Sequence, residues 1–215
     1  NQSVPLRENR FFLTEEDIAD YEAQLDASGL GIMGYIEIPE IDVSLPVYHG
    51  TSEAVLQIAI GHIEGSSLPV GGPGTHCAVS GHRGLPSAKL FTNLDRLQNG
   101  DLFFLHILDE ILTYEVDQIL IVEPYDLSPL EIIEGQDLCT LVTCTPYGIN
   151  SHRLLVRGHR VETPEAEKAI RVVADAVQVE PLLVAPVLAA PMLLLLLIIL
   201  IATTSGSKKS SRKGR

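Results

Sequence analysis

The sequence has few of the residues and motifs that define metalloproteins or disulfide-stabilised domains. Its 215 residues include only three cysteines, Cys77, Cys139 and Cys144, and no CxxC or HExxH motif. An odd number of cysteines leaves at least one thiol free, and no group of residues has the spacing of zinc ligands. We therefore predict no metal and no other cofactor, and expect the chemistry to come from the chain's own side chains.

Positive charge is scarce over most of the chain. The formal net charge is −13, and five of the 15 basic residues lie within residues 208–215. A domain this acidic is a poor ligand for nucleic acid or an anionic surface. It suits a cationic partner such as a lysine-bearing protein, although the charge is explained equally well as a means of keeping the domain soluble.

One long apolar run dominates the C-terminal part. Residues 182–202 contain no charged residue and are long enough to cross a bilayer as a helix. The basic tail at 203–215 indicates the cytoplasmic side, so we predict a transmembrane helix at 182–202 and a domain on the extracellular face of the cell membrane. The alternative is a buried core helix, but such a helix does not require a segment as uniformly apolar as residues 193–201. An export signal or first membrane helix is expected before Asn1, outside this sequence or removed by processing.

The remaining sequence is typical of a mainly β domain. An N-terminal segment at 1–31 is expected to contain a helix at 15–25 with Thr14 as its N-cap, and a juxtamembrane helix is expected within 164–181. Two further short helices are predicted at 52–60 and 89–97. Short strands with few helices favour a barrel or sandwich over 32–163, with strands predicted at 33–41, 43–48, 75–80, 101–108, 112–123, 138–144 and 153–161.

Cys144 ends a β-branched run, TLVTC, just before the turn sequence TPYG. Strand ends and the loops after them commonly present reactive side chains. Cys139 lies on the opposite parity of the same predicted strand, so the two thiols are expected to face opposite sides of the sheet. One of them is then a core residue and the other faces a cleft.

A histidine and an arginine complete a possible catalytic group with this cysteine. His82 lies in the sequence SGHRG, where glycines allow close approach of a substrate; among the seven histidines, His49 is the next candidate. Arg153 opens the last predicted strand, nine residues after Cys144, and an antiparallel return would bring it beside the thiol; Arg157 competes on the same parity. A thiol, an imidazole and a guanidinium can serve as nucleophile, acid/base and oxyanion stabiliser.

Three ordered motifs resemble one family. TLVTC at 140–144, SGHRG at 80–84 and RLLVRG at 153–158 are similar to the sortases, the cysteine transpeptidases of Gram-positive cell surfaces. Residues 140–160 and 33–41 resemble the pilus-assembling class C members in particular. The resemblance covers about residues 15–162. It implies an eight-stranded β-barrel in which Cys144 is the nucleophile, His82 the acid/base and Arg153 the oxyanion stabiliser.

The same resemblance implies a reaction. Sortases cut an LPxTG-like sorting signal between Thr and Gly, form a thioacyl-enzyme and transfer it to an amine, which in class C is a pilin lysine. The implied partners are pilin subunits and, through the C-terminal helix, membrane lipid, with no role for nucleic acid. A cell-wall-anchoring sortase with a peptidoglycan amine as acceptor is the main alternative.

Two further readings belong to other classes of protein. The chain could be a membrane-tethered binding module with a structural Cys144, against which the ordered motifs argue. It could also be an anchored sortase substrate, but no LPxTG precedes the apolar run.

The N-terminal segment departs from the class C pattern. Such sortases commonly carry a lid with an Asp-Pro-aromatic triplet, and none precedes the first predicted strand here. Residues 10–12 (RFF) supply aromatic side chains without Asp-Pro. Autoinhibition by a lid therefore stays open.

Overall fold

The computed structural model describes residues 10–27, 29–85 and 88–165. The chain divides after Pro164 into two compact units, and the described residues belong to the first unit except for Glu165. The segments predicted at 164–181, 182–202 and 203–215 lie outside the described residues, apart from positions 164 and 165. No helix within the described part is long and apolar enough to cross a bilayer.

Eight strands of the described residues close into a barrel, in the order β1-β2-β3-β4-β7-β8-β6-β5. The eight-stranded barrel implied by the family resemblance is therefore confirmed. The strands are β1 Ile32–Ile38, β2 Val43–His49, β3 Ile60–His62, β4 Thr75–Ser80, β5 Leu102–Ile107, β6 Glu110–Val122, β7 Asp137–Thr145 and β8 His152–Val161.

Alternate residues of the strands fill the barrel interior. On β5, Phe103, Leu105 and Ile107 belong to the core, whereas His106 between them is partly exposed. On β7, Cys139 and Leu141 point into the same core. Because burial of each large apolar side chain stabilises by about 1.5–3 kcal/mol, this two-residue periodicity determines which face of β5 and of β7 is inside.

The strand β3 replaces the end of a predicted helix. The helix α2 covers only Glu53–Leu56 and is capped by Ser52, whose Oγ accepts the N–H of Val55. Residues 60–62 instead pair in parallel with β2 and antiparallel with β4. The helix predicted at 52–60 is too long because local periodicity carries no information about this pairing.

The N-terminal helix α1 begins where the sequence predicts and ends earlier. It covers Glu15–Glu22, and Thr14 and Asp17 form a reciprocal capping box at its start. Leu25 adopts a positive φ of 57° and packs against the core. A residue in the left-handed region cannot continue a helix, so the predicted end at residue 25 is wrong.

The helix predicted at 89–97 is also wrong. Only residues 94–96 form a 3-10 turn there. Four side chains of the segment that looked like a helical face are instead buried in the core from an irregular loop: Leu90, Phe91, Leu94 and Leu97. Their spacing therefore reflects the points at which this loop is anchored in the barrel core.

Three strand ends meet at one edge of the barrel. β4 pairs in parallel with β7, with Ser80 opposite Val142, and β7 pairs antiparallel with β8. The end of β4, the end of β7 and the start of β8 are therefore neighbours. The three candidate catalytic residues of the sequence lie at these three places.

Candidate active site

Cys144 and Arg153 are direct register partners of β7 and β8. Side chains of directly opposed residues emerge on the same face of a sheet. The expected return of the chain thus brings Arg153 beside Cys144. The Cys144 side chain is partly exposed, whereas Cys77 and Cys139 are buried.

His82 lies two residues beyond the end of β4, in a segment fastened to β7. The N–H of Gly81 donates to the Val142 carbonyl at 3.1 Å, and Thr143 Oγ1 donates to the Gly81 carbonyl at 2.7 Å. A Cβ on Gly81 would lie 2.5 Å from Cδ1 of Ile60. Glycine is therefore required where the backbone passes so close to the core.

A single cleft joins the three residues. It has a volume of about 280 Å³, and His82, Cys144 and Arg153 all line it. Much of the remaining lining is apolar, and it includes Ile63, Leu127, Leu130, Val142 and Leu155. The site combines a thiol, an imidazole and a guanidinium with a surface suited to apolar peptide side chains.

Arg153 is not neutralised by a carboxylate. Within residues 10–165, as far as they are described, its contacts are the carbonyls of Asn150 and His152, at 3.3 and 3.1 Å from Nη1. Its charge and its other N–H donors are therefore available to an anion in the cleft. A guanidinium in this position can stabilise an oxyanion next to the thiol.

Comparison with known proteins decides the family. A family model described as a sortase domain matches residues 36–161. The chain belongs to the sortase family. Sortases are cysteine transpeptidases, so the protein is an enzyme.

Solved sortases of class C are similar to this one over more than half of the chain. Sortase C1 from Streptococcus agalactiae is 58% identical with a TM-score of 0.70, over 71% of this chain and 79% of that one. A pilus-related sortase C of group B Streptococcus is 45% identical with a TM-score of 0.61, over 62% and 69% of the two chains. Sortase A from Streptococcus agalactiae serotype III is 27% identical over 68% of this chain. The matched region spans 60% of that relative's length.

The two competing candidates, Arg157 and His49, bind partners outside the described lining of the cleft in this sortase. Arg157 is held by Asp117 through two parallel hydrogen bonds of 2.9 and 3.0 Å. Both ring nitrogens of His49 face backbone carbonyls, those of Gly31 and Gln24. Neither side chain belongs to the described lining of the cleft.

The other two thiols are enclosed in the barrel. Cys77 and Cys139 are register partners of β4 and β7, and both belong to the core. The expected opposite orientation of Cys139 and Cys144 is confirmed. The hydrogen bond with Cys139, and then that with His62, lowers the pKa of Cys77, whereas burial raises the pKa of Cys139. Neither thiol is accessible to a peptide.

Glu53 contacts the candidate site residue His82, and sequence reasoning missed this contact. Its Oε2 lies 3.7 Å from Nε2 of His82, and its Oε1 accepts a hydrogen bond from Gln57. Glu53 lies in the first turn of α2, so this short helix brings a carboxylate to the imidazole. The separation of 29 residues from His82 leaves no local pattern that reveals the contact.

One wall of the cleft is formed by the connection between β6 and β7, residues 123–136, which we name the cleft wall. His76 anchors it, because its Nδ1 contacts the Glu131 carbonyl at 2.8 Å and its Nε2 contacts Thr140 Oγ1 at 2.7 Å. Burial, followed by the nearby cation Arg10, lowers the pKa of His76 to about 4. His76 is therefore neutral and can donate from Nδ1 while it accepts at Nε2.

The N-terminal segment contacts the cleft wall. The guanidinium of Arg10 donates to the Leu130 carbonyl, and the backbone of residues 10–11 packs closely against Gly65. Phe12 is 79% exposed, and none of residues 10–12 is among the described lining of the cleft. In the described part of the chain, the RFF aromatics therefore do not plug the active site.

Proposed function

We propose that this enzyme is a class C sortase that joins pilin subunits. In this proposal it cleaves an LPxTG-like sorting signal between Thr and Gly, holds the acyl group on Cys144 and transfers it to a pilin lysine. One observation carries the proposal above all others: Cys144, His82 and Arg153 line the same cleft. The similarity to a pilus-related sortase C supports the pilin as the substrate.

The first half of the proposed reaction forms the thioacyl-enzyme. The thiolate of Cys144 attacks the Thr carbonyl carbon, and the carbonyl oxygen takes up the negative charge. Arg153 stabilises this oxyanion through N–H donors that no carboxylate of the described residues occupies. The imidazolium of His82 then protonates the departing glycine nitrogen as the Thr–Gly bond breaks.

The second half transfers the acyl group. The neutral imidazole of His82 accepts a proton from the lysine ammonium, and the freed amine attacks the thioester carbon. Arg153 stabilises the second oxyanion, and Cys144 leaves as the thiolate. The new amide nitrogen gives its remaining extra proton to water, and the released glycine amine takes one proton from water. One peptide bond is exchanged for one isopeptide bond, so the reaction needs no external energy source or cofactor.

Intact-mass spectrometry of the full chain in detergent tests the first half. Incubation with an LPxTG peptide is expected to add the mass of the fragment that ends at Thr, and Cys144→Ala is expected to gain none. A wild-type chain that stays unmodified, with the peptide uncleaved, would overturn the proposal.

A competition between acceptors tests the second half. A pilin-derived lysine peptide and a peptidoglycan stem-peptide amine are added together to the acylated enzyme. Preferential formation of the lysine product is expected for a pilus-assembling sortase. Preferential use of the stem-peptide amine would instead establish a cell-wall-anchoring enzyme.

We also propose that the barrel lies on the outer face of the cell membrane, with residues 182–202 crossing it and residues 203–215 in the cytoplasm. The uncharged apolar run and the basic residues after it support this orientation. Protease added to intact cells should digest the barrel and spare a C-terminal tag. Digestion of the tag with the barrel intact would reverse the orientation.

A further inference from the structure

Arg83, the residue after His82, is largely buried, although arginine side chains are usually exposed. Its side chain is only 10% accessible, whereas most arginines lie in solvent. Its Nε–H is buried as well, and it has no acceptor among the described residues. A buried donor without an acceptor lowers stability, so stability alone does not explain an arginine at this position.

The guanidinium of Arg83 contacts three groups. Nη2 forms an ion pair with Oδ2 of Asp95 at 2.5 Å, and Nη1 donates to Oγ1 of Thr145 at 3.3 Å. Cζ lies 5.9 Å from the centroid of the Tyr147 ring, which is within the range of a cation–π interaction. We name Arg83 together with these three partners the guanidinium clamp.

The partners of the clamp belong to separate parts of the site. Thr145 is the residue after Cys144, and Tyr147 lies two residues further on. Asp95 lies in the 3-10 turn of residues 94–96, which Leu94 anchors in the core. We name residues 81–85 the His82 loop. One planar group therefore joins the His82 loop, the residues after Cys144 and a turn fixed to the barrel interior.

A second contact holds Tyr147 against the same loop. Gly84 has a φ of +81°, and a Cβ there would lie 2.8 Å from Cε2 of Tyr147. The ring consequently packs on the backbone beside Arg83, where only glycine combines this conformation with this approach. The clamp is thus reinforced by a contact that does not depend on charge.

We propose that Arg83 is a positioning residue that holds His82 at its working distance from Cys144. The β4–β7 ladder ends at Ser80 and Val142, so His82 lies beyond its support. Past that point the hydrogen bonds of Gly81 and the guanidinium clamp connect the His82 loop to β7. Arg83 is not among the described residues that line the cleft, so it acts through His82 and Cys144 and not on the substrate. This inference rests on the proposed thiol acyl transfer.

Single-turnover acylation of the full chain by an LPxTG peptide tests the inference in Arg83→Lys. Lysine keeps a charge for Asp95 but lacks the planar fork that also reaches Thr145. We expect the acylation rate constant to fall about tenfold or more, with KM within about twofold of wild type. Arg157→Lys is the matched control, because Arg157 is also a partly buried arginine with a carboxylate partner and lies outside the cleft lining. It should acylate at the wild-type rate.

Tyr147→Leu provides a second variant if Arg83→Lys does not fold. Tyr147 is 61% exposed, so its loss should leave the melting temperature unchanged while the rate constant falls about threefold or more. The double variant Arg83→Lys/Tyr147→Leu should lose less than the product of the two single effects, because both changes remove the contact between Arg83 and Tyr147. Independent, multiplicative losses would contradict a shared clamp.

The outcomes separate this inference from the proposed function. Acylation of the wild type, combined with equal acylation by a folded Arg83→Lys, would overturn the role of Arg83 alone. An equal loss in Arg157→Lys would also overturn it, because the effect would then be general to buried arginines. A wild type that is never acylated would overturn both the proposed function and the positioning role of Arg83.

Discussion

Thr143 donates its hydroxyl hydrogen to the carbonyl of Gly81 across the gap between β7 and the His82 loop, at 2.7 Å. Both residues directly precede a candidate catalytic residue, since Gly81 precedes His82 and Thr143 precedes Cys144. The proposed acid/base and the proposed nucleophile are therefore linked through their chain neighbours.

Removal of the Arg153 side chain should abolish oxyanion stabilisation without unfolding the barrel. Because Arg153 has no carboxylate partner among the described residues, Arg153→Ala leaves no buried charge unpaired there. The acylation rate constant should fall about 10²- to 10³-fold, and circular dichroism melting should be unchanged within about 2 °C. A rate close to that of the wild type would exclude Arg153 from catalysis.

A methyl group at position 81 should disturb both stability and catalysis. In Gly81→Ala the new Cβ would lie 2.5 Å from Cδ1 of Ile60 and 2.9 Å from the ring of Phe91. Such overpacking costs about 1–3 kcal/mol, and it should shift His82 and slow acylation. Urea unfolding measures the first effect. Ile60→Val removes one clashing atom, so the double variant should recover part of the stability.

Low pH should reduce the free energy of unfolding because His76 becomes protonated. Burial, the largest cause, and the cation Arg10 lower its pKa to about 4 in the folded state, against an ordinary value of 6.5. The unfolded state therefore binds the proton first as the pH falls. This contribution to stability is lost between about pH 6.5 and pH 4, by about 3 kcal/mol at most.

A titration with urea at several pH values measures the effect. Between pH 7 and pH 4 the free energy of unfolding should fall more steeply in the wild type than in His76→Gln. Identical slopes for the two proteins would show that His76 titrates normally. Since His76 anchors the cleft wall, the peptide KM should rise over the same pH range.

One thiol of the three should react in the native state. Cys144 is partly exposed and Cys77 and Cys139 are enclosed, so iodoacetamide should label one site per native chain and three after denaturation. Native Cys144→Ala should take up no label. Labelling of that native variant would show that the barrel interior opens.

The arrangement around Cys144 could largely be predicted from the sequence. The parity of residues 139 and 144 predicts that the two thiols lie on opposite faces of the sheet, and the nine-residue spacing to Arg153 predicts the hairpin return. Both arguments depend only on the two-residue period of a strand. They hold because β7 and β8 are regular where these residues lie.

The supports of the site could not be predicted in the same way. Arg83 and Thr145 are 62 positions apart, and His76 and Thr140 are 64 apart. The short β3 is defined by its two neighbours and has no periodicity of its own. Contacts of this kind follow from the closed barrel, which no local segment encodes.

The pairing of Cys144 with Arg153 has a consequence for engineering. The ladder between β7 and β8 specifies the pair, and the turn at residues 146–151 does not. Side-chain substitutions in that turn should accordingly leave Cys144 opposite Arg153, and the backbone carbonyl of Asn150 should still accept from Nη1 of Arg153. Tyr147 is the position to retain in an engineered turn, because it alone among the turn residues contacts the guanidinium of Arg83 in the described structure.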